Sequence, residues 1–340
     1  VQIGAPLDPA FSDDALPDAQ PAVASADEVP PLHLRGATRE EGPLRTLDTL
    51  KSAADAPLVL IQDDPIPKRG KATPTFTGGR PRELIVGIDL GTCNSLLAYV
   101  DPHGDIKVVQ HSQESIVTPS AVYFPEGFKS EVGLDAKRMA VFEPMNCAQF
   151  FKLNMGDSRR ARPFHGTKFS PEMLSALVLR RLVEQAIEQL GGPDEVVIKD
   201  VVITVPSSWD DVRRESTRLA ARLAGLNPIG ILSEPVSVAL ETALKQLRDG
   251  KTVFVYDFGG GTFDVTIFKL DGQTVRLLAN MGLPTLGGNN LDQRLYDHVR
   301  QMFRDEFEEH DPPDPDSRPQ SRWELLSRCE AVKIALCKKA

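Results

Sequence analysis

Ile88-Asp89-Leu90-Gly91-Thr92 closes one apolar run of this sequence, and Tyr256-Asp257-Phe258-Gly259-Gly260-Gly261-Thr262 closes another. Both set a carboxylate, then glycine, then a threonine hydroxyl at a strand end, 168 positions apart (257 minus 89). Glycine lets a backbone approach a phosphate with no Cβ in the way, and successive N–H groups in a tight turn make an anion nest. A carboxylate repels phosphate. Asp89 and Asp257 therefore make sense only with a cation between, and Mg2+, which keeps several waters and takes one or two carboxylates, fits. Either loop alone is weak, since Gly-Gly-Gly is more often a plain flexible turn. The matched pair implies two loops that clamp a triphosphate from both sides. No Gly-x-x-x-x-Gly-Lys-Ser/Thr occurs, so that other phosphate-loop design is excluded.

Around the first loop, Leu84–Leu90 and Leu96–Val100 are apolar runs, and Asp101-Pro102-His103-Gly104-Asp105 is a turn before Ile106–Val109, which predicts a hairpin meander. Ser170 as N-cap and Pro171 at the first helical position start a helix. Its one face carries Leu174, Leu177, Val178, Leu182, Ala186, Ile187 and Leu190, and Gly191-Gly192-Pro193 stops it. Val201–Val205 reads as a buried strand ended by Pro206. Asp210 caps a helix through Ala224, Ile229–Leu232 is a strand, and Glu234-Pro235 opens a helix. Around the second loop, Val253–Phe258 and stretches near 262–270 and 274–281 read as strands. Gly287-Gly288 precedes a helix bearing Leu291, Leu295, Val299, Met302 and Phe303, and Ser321 with Glu324 reads as a capping box for a last helix through Cys337. Strands alternating with helices, with hairpins among them, predict an α/β fold with mixed sheets.

The chain has 340 residues, 41% of them hydrophobic, with a net charge of −9. That balance argues against a nucleic-acid footprint, which needs a basic face. No run of eighteen apolar residues predicts a membrane span, no leader pattern is visible from Val1, and Cys93, Cys147, Cys329 and Cys337 have no metal-type spacing. Cytoplasm is the expected location. Residues 1–82 hold twelve of the 27 prolines and, as aromatics, Phe11 and Phe76 alone. Such a stretch buries too little apolar area to offset its ordering entropy and reads as a disordered extension, with Leu58–Ile61 as a solitary apolar patch.

Longer stretches stand in order over residues 83–340: Val86-Gly87-Ile88-Asp89-Leu90-Gly91-Thr92-Cys93-Asn94-Ser95, Val201-Val202-Ile203-Thr204-Val205-Pro206, Ser233-Glu234-Pro235, Asp257 through Asp264, Leu286-Gly287-Gly288 and Cys329-Glu330-Ala331-Val332-Lys333-Ile334. Together they resemble the ATPase domain of the seventy-kilodalton heat-shock chaperones, the DnaK-like Hsp70 family, within the superfamily of actin and the sugar kinases. The resemblance implies the actin-like ATPase fold, two lobes each with a mixed sheet flanked by helices. It assigns 83–250 to the first lobe, 121–169 within it to a reduced small subdomain, and 251–340 to the first part of an incomplete second lobe. It implies ATP or ADP with Mg2+ as cofactors. Asp89 and Asp257 would hold the hydrated metal, and Gly91, Thr92, Cys93, Gly259, Gly260, Gly261 and Thr262 would line the phosphates. Glu234 would orient a water, Lys152 would be the catalytic lysine, and Asp264 would take a monovalent cation such as K+. Gly287, Gly288, Glu330 and Lys333 would face the nucleotide from the second lobe, and Pro206 with Arg214 would pass its state to a neighbouring domain. Unfolded client proteins, a J-type co-chaperone and a nucleotide exchange factor are the implied partners, with no nucleic acid and no membrane.

The sequence departs from that family at several points. Cys93 replaces a usual threonine and Cys337 a usual serine, Ser208 and Trp209 alter an aromatic pair, and Gly230 stands where bacterial members usually carry the arginine that docks the J-type partner. Apart from the resemblance, Lys152 sits in no motif and reads equally well as a surface lysine. Glu330 and Lys333, one helical turn apart, read equally well as a solvated ion pair. A nucleotide-binding switch with little hydrolysis is the second reading, and a sugar or metabolite kinase of the same superfamily the third.

Overall fold

The computed structural model describes residues 81–112, 115–127, 129–245, 251–271, 274–307 and 314–339. All but the last two residues of the proline-rich extension lie outside them. The first apolar run becomes β1 (Arg82–Asp89), which turns back into β2 (Asn94–Val100) and then β3 (Ile106–Val108), with a short β4 (Thr118–Pro119) also on β2. A small sheet of β5 (Val122–Tyr123), β6 (Glu131–Val132) and β7 (Cys147–Ala148) carries helix α1 (Leu134–Phe142). A hairpin, β8 (Arg162–Phe164) and β9 (Thr167–Phe169), leads into α2 (Pro171–Gln189). Ser170 caps α2 by accepting from Met173 N.

The chain then re-enters the first sheet. β10 (Val196–Val205) runs parallel to β1, α3 (Asp211–Leu223) follows, and β11 (Asn227–Ser233) runs parallel to β10, giving the order β11-β10-β1-β2-β3. β10 starts five residues before the predicted strand because Val196 and Ile198 are buried and register with Arg82 and Leu84 of β1. One core joins Val86 and Ile88 of β1, Leu90 just beyond it, and Ile203 and Val205 of β10 to Leu174, Val178 and Leu182 of α2. Burial of each such side chain stabilises the fold by about 1.5–3 kcal/mol. This core fixes the ends of β1 and β10, and with them Asp89 and the turn after Val205.

Helix α4 (Glu234–Lys245) leads on to a second sheet, an antiparallel meander of β12 (Thr252–Phe258), β13 (Phe263–Asp271) and β14 (Thr274–Leu283). Ala239 of α4 packs with Val255 and Phe268 in a separate core. The opposite face of the sheet leaves Phe254, Tyr256, Phe258, Met281 and Leu283 exposed. Helices α5 (Gly288–Glu306) and α6 (Pro319–Lys339) follow.

Two local expectations change in this region. The last helix begins at Pro319, so Ser321 and Glu324 lie inside it and form no cap; proline at the first helical position, with no N–H to leave unsatisfied, sets the start. The apolar residues expected along α5 do not mark its buried side. Leu291, Met302 and Phe303 are exposed, while Asp292 and Tyr296 are buried. Polar bonds account for this, since Tyr296 Oη donates to Asp316 Oδ1 at 2.7 Å and Lys333 Nζ lies 2.7 Å from Asp292 Oδ2. No described helix is long and apolar enough to cross a membrane.

Candidate functional site

The two sheets meet at their glycine turns. Gly259 N donates to Thr262 O at 2.9 Å, which closes the β12–β13 turn, and Gly91 N donates to Ser95 Oγ at 3.1 Å in the β1–β2 turn. The turns lie against each other: a Cβ on Gly260 would strike Cys93 Sγ and come within 2.9 Å of Cys93 Cβ, and one on Gly261 would lie 2.8 Å from Thr92 Cγ2. A Cβ at either position would force Cys93, or Thr92 and Leu153, to shift. The start of α5 holds the second turn from behind, with Gly288 N donating to Gly259 O at 2.9 Å and Asn289 N to Gly260 O at 2.8 Å.

Between the turns opens a cleft of about 820 Å³, a size that suits a small organic ligand. Asp89, Gly91, Thr92, Cys93, Lys152, Glu234, Asp257, Gly259, Gly260, Thr262, Gly288, Glu330 and Lys333 line it. One face of α6, Trp323, Leu326, Ser327, Glu330, Lys333, Ile334 and Cys337, forms a wall at helical spacing. Gly261 and Gly287 do not line the cleft. They pack on one another, and a Cβ on Gly287 would meet Gly260 C at 2.6 Å.

Lys152 is no surface lysine. It is 3% exposed in a single 3-10 turn over Phe151–Asn154, and its Nζ lies 3.0 Å from Glu234 Oε1 and 5.2 Å from the centre of the Trp209 ring. Phe150 takes a left-handed backbone, φ 58°, to start that turn. A bulky residue there costs about 1–2 kcal/mol, and such strain gathers at functional sites. Glu234, the first residue of α4, is pushed up to about 7, first by burial and then by Asp89 and Asp257, with the Lys152 charge opposing. Asp257 is also raised, by burial and then by Asp264 and Asp89, while Lys152 and a hydrogen bond with Glu234 oppose the rise. Asp89 accepts from Thr204 Oγ1 at 3.0 Å. Asp264 is buried directly opposite Asp257 in the β12–β13 register, and Ser207 Oγ donates to it at 2.9 Å. Asp89 and Asp257 thus lie near the Lys152–Glu234 pair, with Asp264 behind Asp257, so carboxylates outnumber the one lysine and a cation would complete the balance. Among the described residues no three His, Cys, Asp or Glu side chains gather closely enough to ligate a metal directly.

Glu330 and Lys333 do not pair with each other. Glu330 Oε1 lies 2.7 Å from Lys137 Nζ of α1, which also lines the cleft, and Lys333 binds Asp292 Oδ2 and, at 3.1 Å, Gly288 O. Asp292 Oδ1 is buried with no hydrogen-bond partner among the described residues. Burial first, then Glu330, pushes the Cys93 thiol up to about 11, so it stays protonated. Pro206 and Arg214 sit behind the site: Arg214 Nη2 donates to Ser233 Oγ at 3.0 Å and Nε to Trp209 O at 3.4 Å, while Trp209 N donates to Pro206 O at 3.2 Å. Sequence reasoning gave no site role to Thr204, Ser207, Lys137 and Asp292. Thr204 alone had a local signal, a hydroxyl in the strand beside Asp89.

Two sheets joined at facing aspartate–glycine turns, with a nucleotide-sized cleft between, define the actin-like ATPase fold. Comparison with known proteins narrows this class. The family model described as Hsp70 protein matches residues 85–163 and 159–340. The chain is 35% identical over 258 residues to the chaperone protein DnaK of Thermotoga neapolitana and equally to that of Thermotoga maritima. It is 33% identical to that of Thermosipho africanus. Each match covers 76% of this chain and 42% of the relative. The chain belongs to the Hsp70 family, and it spans less than half the length of the curated relatives it matches.

Proposed function

We propose that this chain binds ATP and ADP with Mg2+ between its two sheets and hydrolyses ATP, as the nucleotide-binding part of a DnaK-like chaperone. The observation that carries the reading is the buried Lys152–Glu234 pair, set beside Asp89 and Asp257 in the cleft between two glycine turns. Asp89 and Asp257 would hold the metal through its waters. Bound there, Mg2+ supplies the charge that offsets the phosphates. Gly91, Thr92, Gly259, Gly260 and Thr262 present backbone and hydroxyl donors to the phosphates, and Cys93 contributes its backbone more than its weakly bonding thiol.

Glu234, with an acidity near neutrality, is suited to orient the attacking water and take its proton. Lys152 Nζ stabilises charge that develops on the transferred phosphoryl group and the attacking oxygen. Glu330, Lys333 and the apolar stripe of α6 suit the nucleoside. Asp264 with neighbouring hydroxyls suits a monovalent cation, and Arg214 with the Pro206 turn connects Glu234 to the back of the first sheet. In this reading residues 83–250 are the first lobe, with 121–169 its reduced small subdomain, 251–340 are the first part of the second lobe, and 1–82 are an extension. Client proteins would be engaged by a peptide-binding domain outside this chain, in the cytoplasm, with a J-type co-chaperone and an exchange factor driving the cycle.

Single-turnover ATP hydrolysis tests the reading, with Lys152→Ala in parallel. Turnover that falls by about two to three orders of magnitude in the variant, with ATP affinity kept, is the expected result. Tight ATP binding with no turnover in the wild type would remove the hydrolytic mechanism and leave a nucleotide-sensing switch.

A further inference from the structure

The turn after β10 reaches across to the second sheet. Ser207 Oγ lies 2.9 Å from Asp264 Oδ1 and 2.8 Å from Asn280 Oδ1, and Thr266 Oγ1 donates to the same Asn280 oxygen at 3.1 Å. Ser207, Asp264 and Thr266 are all buried. Gly282 of β14 admits this approach, because a Cβ there would strike Asp264 Oδ1 and come within 2.8 Å of Ser208 Cβ. Asp264 in turn stands opposite Asp257, whose acidity its charge weakens.

We infer that Ser207 is a positioning residue: its hydroxyl, carried on a turn of the first sheet, holds the Asp264 carboxylate beside Asp257. A serine hydroxyl has one proton to give, and a charged acceptor makes the stronger bond, so the proton goes to Asp264. Without it Asp264 keeps its burial and loses this donor. The carboxylate then turns toward another donor, and the arrangement opposite Asp257 is no longer fixed. Ser207 does not line the cleft, so the groups that would contact a nucleotide stay in place. The tie is specific in composition: it needs a hydroxyl at 207 and no side chain at 282.

Ser207→Ala and Ser207→Thr test the inference in two arms. The first arm uses no nucleotide and carries Trp323→Phe, which leaves Trp209, two residues from Ser207, as the single tryptophan of the chain. Iodide quenching of Trp209 should rise about twofold in Ser207→Ala, where a buried donor is lost and the turn loosens, and return in Ser207→Thr. The second arm, which rests on the nucleotide reading above, measures single-turnover hydrolysis and ATP affinity with Trp323 intact. The rate should fall about tenfold in Ser207→Ala, with the ATP dissociation constant kept within about twofold and the rate recovered by Ser207→Thr. Unchanged quenching in Ser207→Ala overturns the inference, as does a loss of rate matched by an equal loss of affinity. A wild type that binds no ATP sinks the proposed function instead, and the quenching arm still decides whether the tie exists.

Discussion

Replacing Lys152 by methionine removes the cation beside Glu234 while filling nearly the same space. At 3.0 Å and an effective dielectric constant of about 20, the lost attraction is about 5 kcal/mol. Glu234 does not bear that whole loss, because it can take up a proton. Its folded-state value of about 7 already lies above the ordinary 4.5. The stability linked to it is therefore fully present below about pH 4.5 and lost as pH rises toward 7. In the variant this loss extends further upward, since the opposing Lys152 charge is gone.

At pH 5.5 Glu234 is protonated in both proteins, and the variant should lose only the hydrogen bond, about 1 kcal/mol. At pH 8.5, one and a half units above the wild-type value, the further loss is capped at about 2 kcal/mol, because protonation then becomes the cheaper state. Urea unfolding in metal-free, nucleotide-free buffer at the two pH values reads the difference directly. The double variant Lys152→Met with Glu234→Gln should show no such pH-dependent excess. An equal loss at pH 5.5 and 8.5 in the single variant would refute the reasoning, because Glu234 would then not be the group that the lysine holds ionised.

Two further outcomes follow from the same site. Gly260→Ala drives a Cβ onto Cys93 and should weaken ATP binding at least about tenfold by parting the two turns, and pairing it with Cys93→Gly should recover part of the loss; calorimetric titration of both proteins checks this. Lys333→Met leaves Asp292 buried with neither oxygen bonded and should destabilise the fold by about 3–5 kcal/mol, whereas Lys333→Met combined with Asp292→Leu should recover most of it in thermal unfolding.

Local chemistry made the two glycine turns legible, and with them the strands that carry them, because a carboxylate, a glycine and a hydroxyl in a fixed order need no distant partner to be recognised. The start of α2 was legible for the same reason: Ser170 and Pro171 act within one turn of helix. The start of α6 was misjudged where two local signals competed two residues apart, and Pro319 prevailed over Ser321. Lys152 shows the limit most clearly. Its burial goes with an acid 82 positions further along the chain, which no local window contains, and with a left-handed Phe150 two residues before it, a conformation that a phenylalanine does not announce. Asp292 and Tyr296 escaped for a related reason. Hydrophobic periodicity finds an apolar stripe, but it cannot tell which side of a helix faces inward when long-range polar bonds decide.

The hold of α5 on the second glycine turn has a consequence for how a ligand is received. Two amides of the helix start are committed to the carbonyls of Gly259 and Gly260, which fixes the tilt of the peptide planes that carry them. A glycine-rich loop is ordinarily the most expensive kind of backbone to order. Here that entropy is surrendered once, during folding, so an anion bound as proposed would meet a receptor already in shape.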